Sequence, residues 1–302
     1  MALDRDSHRI PKLALAILGL LLAVHFGLAL GFARVTPYRT SGFVLGQPAK
    51  DIGAPDERQH ANYVQSLLSG NGVPVFNPRD PNLYESYQSH QPPLYYALAA
   101  AFARGMAVQD MSQPEGARVR WLNALISLTA VLGCFCLGLW GFGSWRTGLA
   151  GAVVMGLLPM FVALGGAISN DPLLIALCTW SLAVMCRGAR EGWTNSRLLA
   201  LGALCGLAML TKTSAVVLLP TMALALVVSV RRPSLYQCLL PFAVAAGMAA
   251  PWWIRNVLVL GPTYRFDPLA IKAFNDAFAG SPQASAMIEA FGAYDYWLNF
   301  VG

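Results

Sequence analysis

The sequence predicts an all-α fold, a polytopic transmembrane helical bundle, from three observations. Hydrophobic residues fill 56% of its 302 positions and charged ones 12%, against about 25% charged in soluble domains. Apolar runs close to the ~20 residues needed to cross a bilayer recur along it. One long polar interval, 34–91, separates the first such run from the others. The net charge of +6 then reads as membrane topology. No basic run interleaved with aromatics offers a nucleic-acid surface.

The elements follow in order. Leu13–Ala33 is apolar for about one bilayer thickness, too long for the ~7–15-residue core of a secretory signal, and reads as an uncleaved first span. His25 inside it reads as a packed histidine. In the polar interval, Pro55-Asp56-Glu57 opens a short amphipathic helix. Asp56 with Gln59 gives a capping-box pattern, and Gly70-Asn71-Gly72 stops the helix. Ala61, Val64, Leu67 and Leu68 form one apolar stripe that would lie along the membrane surface. Pro92–Val108 is apolar but short and carries Arg104. Six further spans are expected at Trp121–Trp140, Thr147–Ile168, Pro172–Cys186, Leu198–Leu210, Ser214–Val230 and Leu235–Trp253. The six cysteines lie in or beside these apolar segments without ligand-type spacing, and read as small hydrophobes.

Charge sets the orientation. One set of short connections carries Arg146, Arg187, Arg190, Arg197, Arg231 and Arg232; the other carries only Lys212. With Arg5, Arg9 and Lys12, this places the N-terminus in the cytoplasm if Pro92–Val108 dips into the membrane without crossing it. The expectation is a single integral inner- or plasma-membrane domain over 1–302. It has the first span at 13–33, an external loop and membrane-associated segment at 34–118, about six further spans over 119–254 and an external segment at 255–302. Asp56, Glu57, Glu85, Arg118, Arg120, Asp171, Lys212 and Arg255 then converge on the extracytoplasmic face.

Carboxylates facing arginine and lysine at a membrane surface suit one chemistry. Cations hold a lipid-linked phosphate, a carboxylate deprotonates an acceptor hydroxyl or amine, and the phosphate departs with its charge stabilised. That is inverting sugar transfer from a polyprenyl-phosphate donor to a lipid, glycan or protein acceptor.

A set of boxes gives this reading a family. They are Pro55-Asp56-Glu57 with His60, His90-Gln91-Pro92-Pro93-Leu94-Tyr95-Tyr96, Arg120-Trp121-Leu122-Asn123, Ser169-Asn170-Asp171, Gly206 to Lys212, and Trp252-Trp253-Ile254-Arg255-Asn256. In order and spacing the chain resembles the GT-C glycosyltransferases of the dolichyl-phosphate-mannose protein mannosyltransferase and aminoarabinose transferase group. The resemblance implies a GT-C-like bundle whose long first loop carries amphipathic helices. It implies Asp56 as catalytic base with Glu57 as neighbour or alternative. Arg120, Arg255 and Lys212 would meet the donor phosphate. Asp171 would sit near the acceptor or help the base, with Glu85, His90 and His60 lining the pocket. Gln91 departs from the family pattern, in which histidine opens that box. The chain is also shorter than the usual enzyme, and its end at Asn299-Phe300-Val301-Gly302 reads as a cut edge, with acceptor-selecting parts expected beyond it.

Plainer readings stand beside these. Asp56 could be only a cap, Glu57 only a favourable helix-start charge, Arg118 a solvated loop charge, and Lys212 a snorkelling lysine. Asp171 could cap a helix, and Trp252 and Trp253 fit an interfacial aromatic belt. The sequence demands no cofactor. A divalent metal between His60 and His90 is left open, although two histidines lack a fixed third ligand. The rival function is a non-enzymatic flippase or transporter, which would place ionisable groups near mid-membrane and use inverted repeats; here most lie in loops or at helix ends.

Overall fold

The computed structural model of the chain describes residues 10–260 apart from 45, 78, 79 and 81. Arg5, Arg9 and nearly all of the segment 255–302 lie outside the described residues. The helices are α1 (Lys12–Val35), α2 (Glu57–Leu68), α3 (Leu83–Ser86), α4 (Leu94–Gly105), α5 (Arg120–Phe142), α6 (Trp145–Leu157), α7 (Pro159–Gly165), α8 (Asp171–Glu191), α9 (Asn195–Thr211), α10 (Leu218–Val227) and α11 (Leu235–Leu260). A two-stranded antiparallel hairpin, β1 (Gly42–Val44) and β2 (Gln47–Ala49), pairs Phe43 with Pro48 and Val44 with Gln47.

The first helix shows the solvent logic of the bundle. Ala14, Leu18, Leu21, His25, Ala29 and Ala33 recur every three to four residues and are buried. Leu13, Leu20, Leu28 and Phe32 on the other faces are exposed. Apolar residues on both faces of a helix mean protein on one side and lipid on the other. His25 sits in the buried stripe with both ring nitrogens satisfied, Nδ1 at 2.7 Å from the Gly156 carbonyl and Nε2 at 2.8 Å from Ser127 Oγ. It ties α1 to α5 and to the end of α6.

Helix α5 is central, packed against α1, α6, α7 and α8; α9 then joins α8 to α11. The α5–α6 crossing is close because glycines face each other. A Cβ on Gly148 would lie 2.4 Å from the Phe135 carbonyl oxygen, and one on Gly138 would lie 2.5 Å from Gly148 Cα. Small residues of this kind let membrane helices approach backbone to backbone.

Two expectations need correction. Among the described residues four helices (α1, α5, α8 and α11) are long and apolar enough to cross a membrane alone, not seven. A fifth span would be the pair α6–α7, bent by 66°. The break falls where Pro159 starts α7 and holds Leu158 in an extended conformation with ψ 115°, because a proline disfavours helical geometry in the residue before it. Helices α9 and α10 are shorter than a span. The second correction concerns α2. Its stripe does not lie on the membrane: Ala61 and Val64 are fully buried against Tyr95, Tyr96, Ala99 and Ala103 of α4, with Leu67 and Leu68 packed at the margin. α4 has 12 residues, about 18 Å of rise, short of the ~30 Å hydrocarbon core.

The helix directions sort the charges into two ends. Arg146, Arg187, Arg190, Arg197, Arg231 and Arg232 gather where α5, α8 and α10 finish and α6, α9 and α11 begin. Asp56, Glu57, Arg120, Asp171 and Lys212 gather where α1 and α9 finish and α2, α5 and α8 begin.

The glycine crossing yields a test. Gly148→Val should force α5 and α6 apart and destabilise the fold by about 1–3 kcal/mol. This should appear as a lower unfolding midpoint in detergent, and an unchanged midpoint would show that the crossing is not tight.

Candidate active site

The site is assembled around a buried ion pair. Arg120 opens α5 and is 1% exposed; Glu57 opens α2 and is 3% exposed. Arg120 Nε donates to Glu57 Oε1 at 2.7 Å and Nη2 to Oε2 at 2.5 Å. Nη1 donates to the carbonyls of Ala33 and Thr36, both at 2.7 Å, and Nη2 to Pro37 at 3.0 Å. Those five bonds use every N–H of a guanidinium, and Arg120 also lies over the Tyr38 ring. Glu57 Oε1 accepts from the Ile168 amide at 2.8 Å as well. One pair therefore joins the end of α1, the starts of α2 and α5, and the turn before α8.

This revises two expected roles. Arg120 has no donor left to offer a phosphate, and Glu57 is latched rather than free to act as a base. Both are committed to contacts within the protein.

Asp56, the residue before the latch, takes the left-handed conformation (φ 55°, ψ 1°) and makes no side-chain cap bond. The expected capping box is absent: the Gln59 and His60 amides bond to the Asp56 backbone carbonyl at 3.0 and 3.1 Å. Aspartate tolerates this region better than most residues, but such geometry survives only where surrounding structure enforces it. Its consequence is a carboxylate not consumed by its own helix. Asp56 is exposed, yet the protein around it pushes its carboxyl above the ordinary value, through partial desolvation first; Lys212 opposes the rise and Asp171 adds to it.

Lys212 and Asp171 are brought beside it by two helix ends. Lys212 Nζ donates to Asp171 Oδ1 at 2.7 Å, each side chain about a third exposed. The turn that presents Asp171 is held from behind. Asn123 Nδ2, one turn into α5, donates to the carbonyls of Ala167 and Ser169. Asn170 Nδ2 reaches the Thr211 carbonyl at 3.2 Å, locking the start of α8 to the end of α9.

Histidines and tyrosines pack close by. His60 is buried, Nδ1 lies 2.9 Å from Tyr96 Oη, and burial pushes its imidazole down to about 3 although Asp171 pulls the other way. His90 is also lowered, chiefly by burial, with its bond to the Tyr87 carbonyl opposing. Its Nδ1 lies 2.7 Å from that carbonyl and its Nε2 2.8 Å from Gln91 Nε2. Both rings are thus neutral near pH 7. Their bonded nitrogens face protein, and among the described residues no three His, Cys, Asp or Glu side chains are grouped to hold a metal ion. Tyr63 and Tyr96 stack face to face with centroids 3.7 Å apart.

Two other expected residues, Glu85 and Arg255, are held by contacts of their own. Glu85 accepts from Asn62 at 2.8 Å and pairs with Lys50 at 3.3 Å. It belongs to a charged group at the hairpin in which Arg58 holds Asp51 at 2.7 Å. Arg255 donates from Nη2 to the carbonyls of Val73 and Pro74, both at 3.0 Å, and lies over Trp252. It pins the segment after α2 to α11. Asn123, Asn170 and Tyr96 were present in the sequence boxes but carried no assigned role. Their polar groups beside apolar helix positions were the available signal.

With this geometry in place, the class is defined by fold. The chain is similar to the archaeal oligosaccharyltransferase AglB from Archaeoglobus fulgidus, solved in complex with an inhibitory peptide and a dolichol-phosphate: TM-score 0.52, 14% identity, covering 92% of this chain and 37% of that one. It therefore has a GT-C-like membrane fold and spans little more than a third of that relative's length. Residues 90–254 match the family model of the dolichyl-phosphate-mannose-protein mannosyltransferases, and the chain belongs to that family of integral membrane proteins. The match includes Arg120, Asp171 and Lys212, while Asp56 and Glu57 precede it. No curated protein matches the sequence.

The latch has a measurable signature. Arg120→Ala leaves a buried carboxylate unpaired and should destabilise the protein by about 3–5 kcal/mol. Arg120→Lys, which cannot make the forked contact, should recover little of it. Near-wild-type unfolding midpoints for both variants would show the pair to be dispensable.

Proposed function

We propose that the protein transfers a sugar from a polyprenyl-phosphate donor to an acceptor on the extracytoplasmic face, with Asp56 as the base. The observation that carries this reading is the carboxylate of Asp56, held in a left-handed backbone geometry and unused by its helix, next to the Lys212–Asp171 pair. A general base works best when its value lies nearer the working pH than an ordinary carboxylate does, and the direction of the Asp56 shift fits that requirement. Asp56 accepts the proton of the acceptor hydroxyl or amine as that atom attacks the anomeric carbon. The bond to the phosphate breaks on the opposite side, which inverts the configuration.

Lys212 receives the departing phosphate. As an ammonium on a flexible stem it can exchange its bond to Asp171 for one to a phosphate oxygen without a buried charge being stranded, since both groups are partly exposed. Asp171 positions Lys212 and raises Asp56. Glu57 and Arg120 hold the Asp56 backbone. His60 and His90, neutral and fixed by Tyr96, Tyr87 and Gln91, shape the pocket without competing for the phosphate charge. The donor in the family's name, dolichyl-phosphate mannose, and the peptide and dolichol-phosphate bound to AglB support a lipid-phosphate donor and a lipid, glycan or protein acceptor. The resemblance of the six boxes supports the same assignment.

Proteoliposomes supplied with a panel of radiolabelled polyprenyl-phosphate sugars test this. Asp56→Asn should lower turnover by roughly 10²–10⁴-fold while donor binding persists. Intact turnover in that variant would remove Asp56 from the role. The pH profile adds a second, signed test. A base with a raised value loses activity as pH falls through that value, so the acid limb should lie above the ordinary aspartate value of about 4. Lys212→Met removes the cation that lowers Asp56 and should move the limb to higher pH. Asp171→Asn removes an anion that raises it and should move the limb lower. Shifts in the same direction for both variants would show that the limb does not report Asp56.

A further inference from the structure

We propose that a cavity at the opposite end of the bundle binds the phosphodiester headgroup of an anionic phospholipid. The cavity, about 370 Å³, lies between the α8–α9 and α10–α11 turns, with Arg197, Arg231, Arg232, Thr194 and Gln237 in its wall. Three cations and one carboxylate, Glu191, line it. Glu191 is already shared by Arg197 and by Arg187, the latter at 3.1 Å. Arg231 and Arg232 therefore face the cavity with their charge uncompensated, and among the described residues neither has an ion pair or hydrogen bond.

The two turns are built into a fixed frame. Trp193 packs against Gly188, where an added Cβ would come 2.2 Å from the ring, and its Nε1 donates to Ser229 Oγ at 2.7 Å. Gln237 Nε2 donates to the Trp193 carbonyl, and the Val230 amide to Ala189 at 2.9 Å. Gly192 has φ 99° and ψ 162°, a region that is essentially glycine-only. A Cβ there would lie 3.4 Å from Arg231 Cδ, so the Arg231 stem is laid over the turn.

The surroundings select a lipid over a soluble anion. Val228, Val230, Leu235 and Tyr236, on the same α10–α11 turn as the two arginines, are 62%, 79%, 76% and 61% exposed. Apolar side chains left uncovered beside unpaired guanidinium groups give acyl chains a surface and the phosphate two forked donors at the depth where a headgroup ends. This site is distinct from the one proposed for sugar transfer, and its test does not use turnover.

The full chain in phosphatidylcholine nanodiscs would be titrated with fluorescent phosphatidylglycerol. Phosphatidylcholine and inorganic phosphate would serve as competitors. Wild type should retain phosphatidylglycerol, and Arg231→Gln/Arg232→Gln should bind it roughly 30-fold more weakly, at about fivefold per arginine near an anionic surface. Arg231→Lys/Arg232→Lys keeps the charge that orients the chain but loses the forked donors, and should bind more weakly than wild type and more tightly than the Gln variant. An unchanged unfolding midpoint of the Gln variant in phosphatidylcholine checks that its fold is intact. Equal binding by wild type and the Gln variant, or equal competition by phosphatidylcholine, would overturn the proposal. Displacement by inorganic phosphate at the lipid's own concentration would overturn the lipid assignment in favour of a soluble anion.

Discussion

The structure depends on one interaction, the buried pair of Glu57 and Arg120. Taking two full charges out of water costs several kcal/mol per ion, and the pair is sustained because no hydrogen-bonding capacity of the guanidinium is left unmet. Its partners come from residues 33, 36, 37 and 57, and Glu57 adds residue 168. Arg120 satisfies terminal carbonyls of α1, which have no intrahelical partner, while Glu57 faces the turn ahead of α8. The long first loop is thereby fastened to the membrane bundle at a buried point.

Fastening residue 57 decides what residue 56 can do. An aspartate at a helix start normally turns its carboxylate back onto the first amides. Here Asp56 has a left-handed backbone and no such bond, and its carboxylate lies within the influence of two charges of opposite sign, Lys212 and Asp171. Those charges belong to the ends of α9 and α8, held in register by Asn170 and the Thr211 carbonyl. Stability and the proposed reactivity are thus divided between adjacent residues. The carboxylate that is buried and paired carries the architecture, and the one that is exposed is left for the proposed proton transfer.

The bundle, its apolar segments and the convergence of acidic and basic residues at one end were legible in the sequence, because hydropathy and charge alone specify them. The roles of individual charges were not. Arg120 looks like a phosphate ligand at a helix mouth, and nothing local shows that three of its five donors meet carbonyls more than 80 residues away and the other two the Glu57 carboxylate. Asp56 followed three residues later by Gln59 reads as a capping box, a local rule overridden by the tertiary pull on Glu57. The α2 stripe of Ala61, Val64, Leu67 and Leu68 has the same period whether it meets lipid or α4. Only the alanine-rich face Ala99–Ala103 of α4, which admits close packing, distinguishes the two. Pro159 lies inside the expected span Thr147–Ile168 and was not read as a breaker; the bend there brings α7 against α1 and α5.

Short and broken helices connect these observations to function. A helix that crosses the bilayer completely delivers its terminal charges to water, where they are screened and their mutual effects are weak. α9 stops after 17 residues and Lys212 follows at once, its ammonium against Asp171 at the first turn of α8. Two ionisable groups are thereby kept partly within protein, at a separation set by helix packing rather than by side-chain flexibility. In such surroundings a cation and an anion perturb a third group more strongly than they would in bulk water. A fully spanning α9 would remove that leverage on Asp56 even with every side chain of the cluster retained, which makes helix length part of the site.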